Sequence, residues 1–479
     1  MTGKGVQSPS VRMRRRLLFV MAIVVVIFIA VSPALPGWRD ARLEYPAGIS
    51  GKLRCLGDCL WLSYGRYHPP IDRIKLAAGS RLKVLVKPVR LDQRTTGGMG
   101  ECASIGENSQ GTVLTAWMMR DGRNEQSYKV YARRLKRDGT AIGPDFRVNT
   151  GLSSGMLAHH VSLRVDSQGW FYILWHAARH ADELVHGGAG VFVRVYTPDG
   201  LPVAPEVLIS PGYSGAMPEL AVGADGIAAA FWSDQGQVWG RLLTHEGPYG
   251  TAQRLDDAPV GAIAEFPSAA FGVDGKSLLA AWADTRTGGR DVYARFLRPD
   301  LRPLHPAVRV GGGPVPKAFF RLISVAGTSA GYAVVWLRPG DQCGCWFDTM
   351  GNPLSAVSAI LPAEAEPGTL AQSDGSVIVS NGRSIRVWRA GANGGQTSAA
   401  ALPEPVSLLP PPSRPHEVNL ARSSEGFWVA WHDSIDARRI PALGDNFFIL
   451  AARVSLEDPS RKRWRQVEIQ RTKRIVKTP

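Results

Sequence analysis

Short apolar runs alternate with clusters of Gly, Pro, Asp and Asn along most of this chain. The pattern is clearest from Phe266 to Val310, where four runs of strand length follow one another. Pro267–Phe271 leads to a turn at Asp274-Gly275. A second run ends at Trp282 and is followed by the polar loop DTRTGGR. A third is Val292-Tyr293-Ala294-Arg295, and a proline-rich turn leads to Val308-Arg309-Val310. Runs of four to eight β-branched, aromatic and small residues bounded by turn formers predict strands.

Weaker copies recur. Aligned on Trp282, the series is Trp117, Trp175, Trp232, Trp282, Trp336, Ser380 and Trp431, with spacings of 58, 57, 50, 54, 44 and 51 residues. The third run recurs as Val130–Arg133, Val191–Arg194, Val238–Arg241 and Leu450–Arg453. The turn after it recurs as Arg137-Asp138-Gly139 and Pro198-Asp199-Gly200, and the fourth run as Phe146-Arg147-Val148-Asn149. Four strands per unit at this period predict the blades of a β-propeller. One such unit buries neither face alone, whereas stacking units around an axis buries both and leaves only short edges. The expected fold is therefore all-β: a propeller of about seven four-stranded blades over residues 97–470, with six or eight as alternatives. Its last strand is expected at Arg465–Ile469.

The unit, with its D-G turn, A-W-x-D-x-R second strand and D-V-Y-A-R third strand, resembles the repeats of sialidase-like (Asp-box) propellers of exported bacterial proteins. The resemblance spans about three quarters of the chain and implies the propeller fold. That family's Asp box reads S-x-D-x-G-x-T-W between the third and fourth strands. Here the position holds Arg137-Asp138-Gly139-Thr140 or Arg298-Pro299-Asp300-Leu301, without the tryptophan, so the resemblance carries the fold and not the activity.

The ends change the picture. Leu17–Val31 is uninterruptedly apolar, and with the flank to residue 36 it reaches the roughly 20 residues that cross a bilayer. Arg12, Arg14, Arg15 and Arg16 precede it, which keeps residues 1–16 in the cytoplasm and exports the rest. An uncleaved signal-anchor over 17–36 is preferred to a cleaved signal peptide, because the apolar run is long and proline crowds the cleavage site. The expected location is a single-pass membrane protein with its main domain in the periplasm. Residues 37–96 match the repeat poorly and read as a linker with a small β subdomain, or as a divergent blade. The net charge of +15 is concentrated partly at the ends: eight Lys and Arg lie between Arg461 and Lys477 against one acid, Glu468. The basic tail, whose last part is 471–479, is a candidate for contact with an anionic surface. No zinc-finger spacing or basic helix is present, so nucleic acid is not an expected partner.

Chemistry is sparse. No Walker loop, G-x-S-x-G elbow or H-E-x-x-H occurs. The pairs Trp232/Asp234, Trp282/Asp284 and Trp431/Asp433 repeat across units, which points to scaffold. Loops before first strands and after second strands open on one rim, and on it the sequence gathers His159, His160, His176, His180, His186, Asp284, Arg286, His432 and Asp433. Five of these histidines lie in one unit. Their spacing matches no metal motif, so no metal and no cofactor are expected. Cys55 and Cys59 flank a short turn and are candidates for a disulfide in an exported protein. Cys343 and Cys345 fall where Val292 and Ala294 sit and read as buried apolar residues. No catalytic set stands out, and no tyrosine–acid pair is evident. The sequence thus suggests a non-catalytic binding or scaffolding module whose partner is an envelope protein or glycan. A sialidase-like glycan hydrolase or lyase is the alternative.

Overall fold

The computed structural model describes residues 82–456 apart from 93–99, 121–127, 181–189, 212–214, 224–225, 313–321, 364–365, 382–383, 391–405, 408–414 and 435–446, together with two short strands nearer the N-terminus. Those two, Leu53–Arg54 and Trp61–Leu62, pair antiparallel within a separate unit of residues 1–69. The second unit, residues 70–479, holds seven four-stranded antiparallel sheets. Among the described residues no helix is long and apolar enough to cross a membrane. The apolar run 17–36, the Cys55/Cys59 pair and the basic tail lie outside them.

The sheets are the blades of a seven-bladed propeller. Blade 1 comprises Gly100–Glu107, Thr112–Arg120, Tyr128–Lys136 and Phe146–Arg147. Blades 2 to 7 open at Leu157, Ala216, Ala264, Ile323, Gly368 and Pro415. Each first strand packs against the first strand of the next blade, and that of blade 7 packs against that of blade 1, so the ring is closed. The six aligned tryptophans all lie on second strands and are fully buried. Each helps fill the space between blades, where two sheet faces meet.

Three devices repeat and explain the conserved look of the units. The third-strand arginine reaches back to the blade before it. Arg194 Nη1 donates to Val148 O (2.6 Å), Arg241 to Ile209 O (3.1 Å) and Arg295 to Leu255 O (2.8 Å). The residue after that carbonyl is polar and accepts from the first part of its own third strand. Asn149 takes Val130 N (3.0 Å), Ser210 takes Val191 N (3.1 Å) and Asp256 takes Val238 N (2.8 Å). Finally, a serine on the first strand accepts from the next blade: Ser104 from Leu163 N (2.9 Å), Ser268 from Val325 N (3.1 Å). These bonds satisfy backbone groups that blade stacking removes from water. The Asp of the third-to-fourth-strand turn is likewise structural, since Asp138 accepts from Thr140 N (2.8 Å) and Asp300 from Arg302 N (3.1 Å).

The closing strand differs from the expectation. Blade 7 consists of Pro415–Arg422, Phe427–Ser434, Phe447–Leu456 and, as its fourth strand, Leu82–Arg90. The strand expected at Arg465–Ile469 lies outside the described residues. Residues 82–90, read above as part of a linker with a small β subdomain or of a divergent blade, supply the fourth strand of blade 7. They use the same devices as the other blades. Arg133 Nη1 of blade 1 donates to Arg90 O (3.2 Å) and Leu91 O (3.1 Å), and Asp92 accepts from Ile449 N (3.1 Å). Arg90-Leu91-Asp92 is therefore a copy of Arg254-Leu255-Asp256, and that triplet is the signal by which the sequence could have shown the closure. A further bond across the seam joins Trp428 Nε1 of blade 7 to Glu107 Oε2 of blade 1 (2.6 Å).

Pairing also shifts two assignments by one residue. Trp282 pairs with Tyr293 and Trp336 with Cys343, so Cys343 and Cys345 occupy the positions of Tyr293 and Arg295, not of Val292 and Ala294. Trp431 pairs with Leu450, so Arg453 falls one place beyond Arg295. Both thiols of blade 5 are outside any disulfide and buried, and Cys102 is buried as well. Burial pushes the Cys345 thiol up to about 12 and that of Cys343 higher still. Thiolate is the reactive form. In a C55S/C59S variant, an aromatic disulfide reagent is accordingly expected to label none of the three in the native protein and all three in guanidinium. Labelling of Cys343 or Cys345 in the native state at a rate near that of a free thiol refutes this.

Candidate functional site on the rim of blades 7, 1 and 2

Strand direction defines two rims. Connections from second to third strands, and from one blade to the next, lie on one rim; the turns within the other two hairpins lie opposite. On the first rim the connections are unequal. There are 7 residues between Arg120 and Tyr128, 11 between Ala178 and Gly190, and 12 between Ser434 and Phe447, against 2 between Asp234 and Gln237 in blade 3. Among the second-to-third-strand connections the three longest thus belong to blades 1, 2 and 7, which are neighbours in the closed ring. Long connections on a rigid scaffold are where binding residues concentrate.

The inner strands are unequal as well. Blades 7, 1, 2, 3 and 4 carry a bulge near the start of the first strand, with register shifts between His416/Asn419, Glu101/Ser104, His159/Ser162, Ala216/Glu219 and Glu265/Ser268. Blades 5 and 6 pair without interruption. Four of the bulges hold a non-glycine residue at positive φ: Cys102 (52°), His160 (51°), Met217 (51°) and Phe266 (57°). Such residues cost of order 1–3 kcal/mol each and persist where the surroundings enforce them. A bulge also breaks the alternation of side chains.

That break assembles the histidines of blade 2. In a regular strand His159 and His160 would point to opposite faces. Here both lie beside His176, which pairs directly across from His159. The ring centroids of His159 and His176 are 5.4 Å apart and those of His160 and His176 6.4 Å, with the rings nearly parallel. His176 is fully buried, and neither of its ring nitrogens has a hydrogen-bond partner. Burial pushes the His159 imidazole down to about 4; burial, with His159 and His160 alongside, holds His176 well below the usual range. Both are neutral at pH 7. His180 is exposed just past the strand, and His186 lies outside the described residues. Among the described residues no group of three or more His, Cys, Asp or Glu is placed to hold a metal ion.

Blade 1 contributes a pair that the sequence did not disclose. Tyr128 donates its hydroxyl to Glu101 Oε1 at 3.1 Å. Next to it Lys129, buried, donates to Met156 O (3.4 Å) on the path into blade 2. The available signal was the register of the first strand. Glu101-Cys102-Ala103-Ser104, His159-His160-Val161-Ser162 and Glu265-Phe266-Pro267-Ser268 are copies of one bulge, so the residue three before the serine stands on the rim. In blade 4 that residue, Glu265, is bound by Arg290.

Asp284 and Arg286 are together, but in blade 4, two blades from the histidines. Asp284 is fully buried and accepts from Trp282 Nε1 (3.1 Å) and Arg286 N (2.9 Å). The Arg286 guanidinium bridges Asp284 (2.7 Å) and Asp257 (2.8 Å) and lies 4.2 Å over the Tyr293 ring. These charges are spent on blade structure. In blade 7 the backbone places His432 opposite His416 and Asp433 opposite Pro415, at the bulge that matches the one in blade 2.

No family model matches the chain, and no curated protein is similar to it in sequence. Solved structures align with it over most of its length. A protein of unknown function from Dyadobacter fermentans is 13 % identical with a TM-score of 0.46, over 78 % of this chain and 99 % of that one. Penicillium chrysogenum α-L-arabinanase is 11 % identical with a TM-score of 0.45, over 78 % and 98 %. Trypanosoma rangeli sialidase is 10 % identical with a TM-score of 0.41; 79 % of this chain covers 59 % of that one. At these identities the likenesses carry no chemistry.

Proposed function

We propose that this chain is a membrane-anchored, extracytoplasmic propeller that binds an envelope protein or glycan, without catalysing a reaction, on the rim of blades 7, 1 and 2. The observation that supports this reading is the coincidence there of the three longest second-to-third-strand connections with the neutral histidines of blade 2. By contrast, the prominent charged pairs of the chain, such as Asp284–Arg286–Asp257, Glu265–Arg290 and Arg164–Glu219, are closed on one another. The apolar run 17–36 supports the anchor, and the exported location follows from it.

One observation favours the second reading, a glycan hydrolase or lyase. The Tyr128–Glu101 hydrogen bond lies on the same rim, and a phenol beside a carboxylate can serve acid–base or nucleophilic chemistry.

One experiment separates the two. Detergent-solubilised protein is expected to be retained by a component of a glycan array or by a cross-linked envelope protein. Retention is expected to fall when residues 179–189 are replaced by a Gly/Ser linker, and to persist when the short connection 338–340 of blade 5 is replaced. Mass spectrometry of sialosides and acidic polysaccharides incubated with the protein is expected to show no product. Product that disappears in Tyr128→Phe establishes the enzyme instead, and retention indifferent to 179–189 removes the binding face.

A further inference from the structure

The rim of blade 2 holds three imidazoles where nothing receives a charge on them. His159 and His160 lie on the bulge of the first strand. His176 lies across from them on the second, with their ring centroids 5.4 and 6.4 Å from its own. His176 is fully buried, and neither of its ring nitrogens meets a donor or an acceptor. Burying such a group unpaired is costly while it is neutral, and more so once it is a cation. The backbone beside it is already held in an unfavoured conformation, since His160 sits at a φ of 51°.

The elements around the cluster carry charges, but these are engaged elsewhere or oppose protonation. On blade 1 Glu101 accepts from Tyr128, and Lys129 donates to Met156 O. On blade 2 Arg164 is bound to Glu219 of blade 3, and Arg194 donates to Val148 O. Arg179 and His180 lie exposed just past the second strand. Asp234 ends the second strand of blade 3. The charged neighbours that shift His176 are His159 and His160, and both disfavour its cation. His159 is shifted by burial.

We infer that His159, His160 and His176 form a pH-sensitive latch on the candidate binding face. On acidification the inner strand of blade 2 opens at its bulge and the imidazoles reach water. The rim then releases what it holds, while the remaining blades stay closed. The release rests on the binding reading above; the opening does not. The open segment takes up protons that the closed one excludes, so its population rises up to about tenfold per pH unit for each imidazole set free. Opening one bulge breaks fewer contacts than unfolding the ring, so it is the cheaper route by which the chain takes up those protons. Blade 5 pairs its first two strands without interruption and holds no histidine, so it has no such route.

Native thiols read the opening. Cys102 of blade 1 packs in one core with Met156, Ala158 and Val161, which flank the histidines. Cys343 and Cys345 are buried in blade 5 and serve as the internal control. Full-length C55S/C59S protein is treated with a dipyridyl disulfide at about pH 7.5 and about pH 5, and each thiol is followed by peptide mass spectrometry. Its rate is divided by that of the same thiol in guanidinium at the same pH. The ratio for Cys102 is expected to rise about tenfold or more at the lower pH, and those for Cys343 and Cys345 to stay nearly constant. In a His159→Gln/His176→Phe variant the rise is expected to vanish. No rise at Cys102, an equal rise at all three thiols, or a rise that the variant keeps overturns the latch. If the variant does not fold, the contrast between Cys102 and the blade 5 thiols decides. Retention by the glycan array or envelope protein is measured on the same samples. It is expected to be lost at the lower pH, to return on neutralisation and to persist at the lower pH in the variant. Retention by protein whose Cys102 has opened overturns the release. No retention at about pH 7.5 overturns the binding reading and leaves the thiol result to decide the opening.

Discussion

Lowering the pH from about 7.5 to about 5 is expected to cost the propeller up to about 2 kcal/mol of stability through His159, with a further loss through His176. Both imidazoles titrate below the ordinary value in the fold, His159 at about 4 and His176 well below its usual range, because burial disfavours the cation. In the unfolded chain each titrates near 6.5. Between these values the unfolded state binds more protons, so stability is fully present above about pH 6.5 and falls as the pH drops. His159, which keeps some contact with solvent, contributes up to about 2 kcal/mol to that fall by pH 5, and His176, shifted in the same direction, adds to it. For His159 the fall ends near pH 4. Carboxylates take up protons mainly below about pH 4.5, so the interval above isolates the histidines. Urea midpoints at the two pH values measure the effect. A His159→Gln/His176→Phe variant is expected to lose most of the difference, whatever its own stability. An unchanged difference in that variant shows that the acid sensitivity lies elsewhere.

Removing the closing strand is expected to abolish the fold. A variant lacking residues 1–94 has no partner for the edge of Phe447–Leu456, which becomes an open template for association. It also loses the burial of Val86 and Leu91, at ~1.5–3 kcal/mol each. Arg133 loses two carbonyl acceptors and Ile449 N loses Asp92, bonds to charged groups worth about 1.5–3 kcal/mol apiece. The sum approaches the whole stability of a typical domain, about 5–15 kcal/mol. By circular dichroism and gel filtration this variant is expected to show no cooperative melting transition and to aggregate. A variant lacking only residues 1–77 keeps the strand and is expected to melt cooperatively. If the two melt alike, another segment closes the ring.

The blades were legible because they are made of short-range information. Period-two alternation, D-G turns, the tryptophan of the second strand and the arginine of the third all act within some 50 residues, and Phe266–Val310 shows each of them intact. The same features mislead about function. Trp282, Asp284, Arg286 and Arg295 stand out because several blades repeat one or more of them, and the structure spends all four on packing, turn capping and the clasp to the preceding blade. What was not legible depends on pairing at long range. Asp92 meets Ile449 across 357 residues, and no local pattern says which end of the chain supplies the last strand. The meeting of Glu101 with Tyr128, and of His159 and His160 with His176, depends on a bulge that changes side-chain direction by one position. So the sequence by itself determined the repeating unit and the ring it builds, since strands and turns are chosen locally. Only the tertiary structure decided where the ring closes and which blades carry the candidate site, because each of these is set by register between strands far apart in the chain.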